Sequence, residues 1–300
     1  MHTWDDYLAL GIVGMARGGK LSWFNGHFGA ALLAGYYMLK ENELSTHVQA
    51  GIERTCNAYI ERYSEWFAPI ESEQAIPELL ARFIAGLKAN TEKLRSSGHG
   101  LALGVLALKA LNDRPDLVTP SVIEGLSQML ERTLQDRPNR YWEIDDYLGL
   151  TEEDAHDIPV YSSAADMVDQ SFAELASVFP DQVIDGQTYF LAGEQEHGIT
   201  HAHALLELER LGYGELTKAG MRNHRLQMQL NRAVPDLAKP NEVMSPKFTG
   251  ILSEDYWSNT YKDPHAIKVP YASLALLKRL PQHERETAEY NVCKLLTLMG

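Results

Sequence analysis

The sequence predicts an all-α protein, an α/α toroid or a related array of inner–outer helical hairpins. Three observations lead there. Apolar residues recur at steps of three and four, best in residues 44–63, where Leu44, Val48, Ile52, Cys56, Tyr59, Ile60 and Tyr63 share one helical face. Gly/Ala-rich segments that are apolar on most sides alternate with amphipathic ones, the textures of buried and outer helices. Strand signals are nearly absent: the Asn-Gly at 25–26 opens a helix rather than a hairpin, and no Gly-rich phosphate loop follows a strand.

In chain order, "GHFGAALLAGYYML" (26–39) is the first inner helix, and 44–63 is its outer partner after a polar turn at Lys40–Glu43. "GHGLALGVLALKAL" (98–111) is the second inner helix, closed by Asn112, Asp113 and Pro115. Thr119 and Pro120 supply an N-cap and a first-turn proline, and Ile123, Leu126, Leu130 and Leu134 run down the face that follows. "THAHALLELERLG" (200–212) is the third inner helix, ended by Gly212 and Gly214, with its outer helix through Leu216, Ala219, Leu226 and Leu230. "DPHAIKVPYASLALLKRL" (263–280) is the fourth, with its core near 270–280; Pro281 breaks it and a last helix runs toward Leu298. Further helices fit 3–16, 77–90 and 163–178. The irregular segments 136–162, 180–196 and 234–263 are long for connections, and such loops are often functional. "DDYLAL" at 5–10 echoes "DDYLGL" at 145–150, but six residues do not make a duplication, so residues 1–300 read as one helical domain.

Composition narrows the partners. The apolar fraction of 45% and charged fraction of 23% are ordinary for a globular chain. A net charge of −14 without a Lys/Arg cluster argues against nucleic acid. The apolar runs are too short for a membrane span. The N-terminus is acidic where a signal peptide is basic, which points to a cytoplasmic protein. Cys56 and Cys293 form no metal-binding or disulfide pattern, and Cys56 reads as a core residue. The sequence leaves the oligomeric state open.

The histidines carry the functional signal. His27, His99, His201 and His265 each sit at or near the expected start of an inner helix. In a toroid those ends ring one mouth of the cavity, so His27, His99 and His201 are expected to share a site as catalytic groups. The positive field of a helix N-terminus favours their neutral forms, which accept protons or bind metal. Singly, each is as readily a capping or packing residue. His197 lies four residues before His201 and shares its face if that helix begins early. His201 is in phase with Ala204, Leu205, Leu208 and Leu211; His203 is in phase with Glu207 and Arg210 and is expected on a flank. His265, Trp257, Tyr261 and Asn25 are the substrate-binding candidates, the aromatics because a loop such as "DYWSNTYKDPH" suits a ring-shaped ligand or else packs a lid. Trp142, Glu143, Asp145 and Asp146, and Asp5 with Asp6, are carboxylate clusters that read first as solvated or helix-start charges.

"FNGHFGAALLAGYYML", "IPELLARFIAGLKANTEKLRSSGHGLALGVLALKAL", "SVIEGLSQ" and "HGITHAHALLELERL" occur in the order of similar segments in the questin oxidase-like family. The resemblance covers about residues 20–130 and 195–230. It implies a helical enzyme of oxidative, Baeyer–Villiger-type ring opening of aromatic compounds, a monooxygenase with a nicotinamide (NADPH) or flavin donor supplied from outside. The family's first segment has the form His-Asn-His-x-x-His-His; here Asn25, Gly26, His27, Phe28, Gly29, Ala30 and Ala31 stand there, so His27 alone of its histidines is present. His99 falls at the histidine of the second family segment. "GHGLALG" also resembles a segment of the lanthionine cyclases, zinc-bearing α/α toroids; their Trp-Cys and Cys-His-Gly motifs are missing, so only the architecture carries over.

Three functions follow. The first is a small-molecule enzyme with a His-lined cavity, an oxygenase by the resemblance. The second is a metal-dependent enzyme in which His27, His99, His201 and His265 ligate zinc or iron, since imidazole suits both. The third is a non-catalytic ligand-binding or scaffold protein in which the histidines only cap and pack.

Overall fold

A computed structural model describes residues 2–68, 73–142, 144–189, 191, 193–233 and 243–299. Among them are thirteen α-helices in chain order: α1 Trp4–Leu21, α2 Gly26–Glu41, α3 Thr46–Arg62, α4 Ser64–Phe67, α5 Leu80–Glu92, α6 His99–Asp113, α7 Pro120–Leu134, α8 Ala164–Glu174, α9 Gly193–Arg210, α10 Gly214–Leu230, α11 Glu254–Trp257, α12 His265–Leu277 and α13 Gln282–Leu298. The all-α class is therefore observed. The chain forms two compact units, each made of separate segments: residues 1–90, 100–135 and 252–271 in one, and 91–99, 136–251 and 272–300 in the other.

Local chemistry sets the helix ends. The Thr3 side chain accepts the N–H of Asp6 while Asp6 accepts that of Thr3, a reciprocal capping box that starts α1. Ser163 and Asp166 do the same for α8. Pro120 opens α7 as the sequence suggests, although Thr119 makes no side-chain cap bond. At the end of α9, Tyr213 N–H reaches Leu208 O at 2.9 Å and Gly212 N–H reaches Glu209 O at 3.0 Å. This paired closure requires a left-handed residue, and Gly212 supplies it at φ +90°.

In the first unit α2 is buried over most of its surface, and α1, α3 and α7 form its surroundings: α1 packs on α2 and on α7, and α3 on α2. The α1–α2 approach depends on missing side chains. A Cβ on Gly29 would stand 2.3 Å from Met15 N and 2.5 Å from Gly11 O. The stripe expected on α3 is observed through Val48, Ile52, Cys56 and Tyr59. In the second unit α8, α9 and α10 pack on one another, and α13 lies against α8.

Three expectations need correction. One hairpin exists: β1 (Gln182–Ile184) pairs antiparallel with β2 (Gln187–Tyr189). Its two-residue turn is Asp185-Gly186, both at positive φ, as such a turn demands. The acidic stretch before "THAH" is helical, so α9 begins at Gly193 and His201 lies two turns inside it rather than at its start. Glu194 and Glu196 in that first turn suit the positive end of the helix dipole. Finally, His203 is 7% exposed and not on a solvent flank, because α9 is buried on nearly every side from His201 to Leu206.

Candidate functional site

The first unit brings His27 and His265 together. His27 is the second residue of α2 and His265 the first of α12, and both are buried. Their rings meet edge-on, centroids 4.9 Å apart at 68°, and one ring nitrogen of each lies within 4.8 Å of the other's. Phe24 stacks on the His27 ring at 4.8 Å, and Trp23 touches it at 5.8 Å.

Asp263 sets the state of His265. Its Oδ1 accepts from Nδ1 of His265 at 2.8 Å and from the backbone N–H of the same residue at 2.9 Å. A carboxylate only accepts, so Nδ1 carries a proton at this contact, and Nε2 is the ring's other nitrogen. Partial desolvation raises the Asp263 pKa, but the hydrogen bond and charge of His265 outweigh it and leave it at about 2. Tyr59 of α3 donates to the Asp263 carbonyl at 2.8 Å and so fixes the backbone of this pair.

The second unit holds another histidine pair. His99 opens α6, and its ring meets His197 at 4.1 Å and 66°. Nδ1 of His99 bonds the Ser96 carbonyl, which again places the proton on Nδ1. His197 lies between carboxylates: Nδ1 is 3.4 Å from Glu194 Oε2 and 3.1 Å from Ser97 Oγ, and Nε2 is 3.6 Å from Glu196 Oε1. Ser97 in turn donates to Glu194.

The turn before His99 is strained. Ser96, Ser97 and Gly98 all adopt positive φ, at 46°, 49° and 79°. Such residues cost roughly 1–3 kcal/mol each when they are not glycine, and they gather at functional sites. Asp136 holds the turn by accepting Ser96 N–H at 2.7 Å and the Tyr147 hydroxyl, while Tyr147 OH lies 3.2 Å from the same N–H.

His201 is the third element of this unit. Its Nδ1 meets Gln227 Oε1 at 2.7 Å, and its ring meets His224 edge-on at 5.4 Å. Burial drives the His201 pKa down to about 4, so the ring is neutral near pH 7. His224 is a satisfied core histidine: Nε2 bonds Gly198 O and Ser171 Oγ, and Nδ1 faces the Tyr161 hydroxyl.

No family model, curated protein or solved structure matches this chain.

The remaining candidates have structural contacts. Trp257 and Tyr261 are buried; Tyr261 stacks on Tyr256 and donates to its carbonyl at 2.6 Å, and the Trp257 carbonyl takes Arg54 at 2.6 Å. The Trp257 contact fastens this segment to α3. Asn25 backs onto Gly18 of α1 and makes no side-chain cap bond for α2. Trp142 is buried and donates to Asn231 at 2.9 Å, Asp145 and Asp146 are exposed, and Glu143 lies outside the described residues. Asp6 serves the α1 cap. Cys56 is buried with its thiol pKa pushed up, so it is an inert core residue. Sequence reasoning missed Asp263 and Gln227. The "DPH" spacing signals the first; nothing local signals the second, which reaches His201 from the next helix.

Proposed function

We propose that this protein is a metal-dependent enzyme acting on a small organic molecule, with His27 and His265 as imidazole ligands to zinc or iron. The observation that carries this reading is the carboxylate behind His265. A histidine that ligates metal through Nε2 ordinarily has Nδ1–H bonded to a carboxylate or carbonyl, which fixes the tautomer and raises the basicity of the ligating atom. Asp263 does this for His265, and His27 is the adjacent imidazole. Two nitrogens on one tetrahedral ion at about 2.05 Å stand about 3.3 Å apart, within the separation these rings allow. The bound ion would act as a Lewis acid or lower the pKa of a coordinated water. Asp263 and Tyr59 orient the ligand, and Phe24 and Trp23 shield His27 from water.

The reaction class rests on the resemblance to the questin oxidase-like proteins, which supports an oxygenation of a cyclic or aromatic compound with NADPH as donor. Among the described residues no helix is long and apolar enough to cross a membrane. The test is metal analysis of the purified full chain, with chelation and reconstitution by zinc and by ferrous iron. Metal content near zero that neither ion restores rejects the reading.

A further inference from the structure

We propose that Nε2 of His201, held in place by Gln227, is the binding point for an uncharged hydroxyl group. The inference stands on the second unit alone and does not depend on a metal at His265.

The proton positions follow from one amide. Gln227 lies on α10, and its Nε2 is 3.1 Å from the Ser97 carbonyl and 3.2 Å from Ser97 Oγ. A carbonyl only accepts, so that end of the amide must be the NH2 group and the other end must be oxygen. The oxygen faces Nδ1 of His201, which therefore carries the proton. Nε2 is left with a lone pair. His201 is 2% exposed, and among the described residues that Nε2 has no hydrogen-bond partner. A buried acceptor without a donor is costly, and native structures ordinarily supply one.

The surroundings hold the arrangement tightly. Gly98 lies against the ring so closely that a Cβ there would stand 2.9 Å from Nδ1. Gly98 closes the strained Ser96–Ser97–Gly98 turn, which also supplies both acceptors for Gln227. Strain, amide and imidazole thus form one unit, as expected where geometry is held for a ligand.

The missing donor is neutral. Among the described residues, burial and the Gln227 bond are what set the state of the His201 ring. A cation bound there would lack a counter-charge in a buried site, and an anion would face a lone pair. A hydroxyl group supplies the single donor required. His224 cannot, because both its nitrogens are already used. Tyr161, which hydrogen-bonds His224, lines a half-open pocket of about 650 Å³ that neither His224 nor His201 lines, and the His224 ring packs against that of His201. The hydroxyl has two sources, an ordered water or a ligand.

Long-range proton–nitrogen spectra of the 15N-labelled full chain at pH 7 test this. The expected spectrum shows His201 in the Nδ1–H form with its Nε2 resonance displaced from the free-acceptor position. Movement of that resonance on titration with phenol assigns the hydroxyl to a ligand; a displaced resonance that phenol leaves in place, with a cross-peak to a long-lived water, assigns it to water. Gln227→Leu is expected to yield a mixture of His201 tautomers, and Gln227→Glu, which keeps the acceptor, to restore the single form. An Nε2–H tautomer in the unsubstituted chain overturns the proposal. So does an Nε2 resonance at the free-acceptor position both with and without phenol, a result that needs no variant to fold.

Discussion

Oδ1 of Asp263 receives both the ring Nδ1–H and the backbone N–H of His265, at 2.8 and 2.9 Å. One oxygen thereby fixes the rotation of the ring, its tautomer and the first turn of α12. Asp263→Asn keeps the shape and removes the charge. It is expected to weaken metal binding about 10- to 100-fold, with little change in melting temperature. Competition titration with a chromogenic chelator measures this.

Burial of His201 predicts a pH dependence of stability. Its folded-state pKa of about 4 lies below the ordinary 6.5, so between those values the unfolded chain binds the proton more tightly. The stabilisation is whole above about pH 6.5 and is lost as pH falls toward 4, on the order of 3 kcal/mol in all. His224, also shifted down by burial, adds in the same direction. Urea unfolding from pH 7 to pH 4 should show this loss, and His201→Asn should make the slope shallower. An unchanged slope in that variant contradicts the assignment.

Two lysines of the first unit separate buried from exposed charge. Lys109 is 4% exposed and bonds Glu41 at 2.5 Å and Tyr271 OH at 2.7 Å, with its ammonium 4.2 Å from the centre of the Tyr37 ring. Lys40 pairs with Asp113 at 2.9 Å but is half-exposed. Lys109→Ala is expected to cost about 3–5 kcal/mol, because it strands partners arranged around a charge. Lys40→Ala should cost under about 1 kcal/mol. Chemical denaturation of both variants checks the contrast.

Gly29→Ala should be strongly destabilising, since its Cβ meets Met15 N and Gly11 O, which are backbone atoms that cannot swing aside. The cost is about 1–3 kcal/mol or more. A variant with an unchanged melting temperature would show that α1 and α2 separate more easily than the packing implies.

The helices were legible because their apolar residues repeat at the helical period. Val48, Ile52, Cys56 and Tyr59 announce a buried face, and "TP" at 119–120 and "LG" at 211–212 announce ends. The hairpin was missed because a three-residue strand has too little alternation to register, although Asp185-Gly186 marks its turn. The start of α9 is not legible, since Glu194, Gln195 and Glu196 lack an apolar stripe and join the helix through its dipole and tertiary packing. The burial of His203 is not legible either, because charged neighbours at the helical spacing suggest solvent, whereas the helix is enclosed on that side as well. Of the candidate site, the histidines and the Asp263–His265 pair are written locally. The Gln227–His201 bond spans 26 residues, and no spacing rule predicts it.

The central claim is that His27 and His265 ligate a transition metal, and elemental analysis of the purified full chain and its two single variants tests it most directly. The account predicts zinc or iron bound in the unsubstituted protein, with that metal lost from His27→Ala and from His265→Ala while circular dichroism shows both variants still helical. Metal bound at equal stoichiometry in all three proteins, or in none of them after reconstitution with either ion, would contradict it.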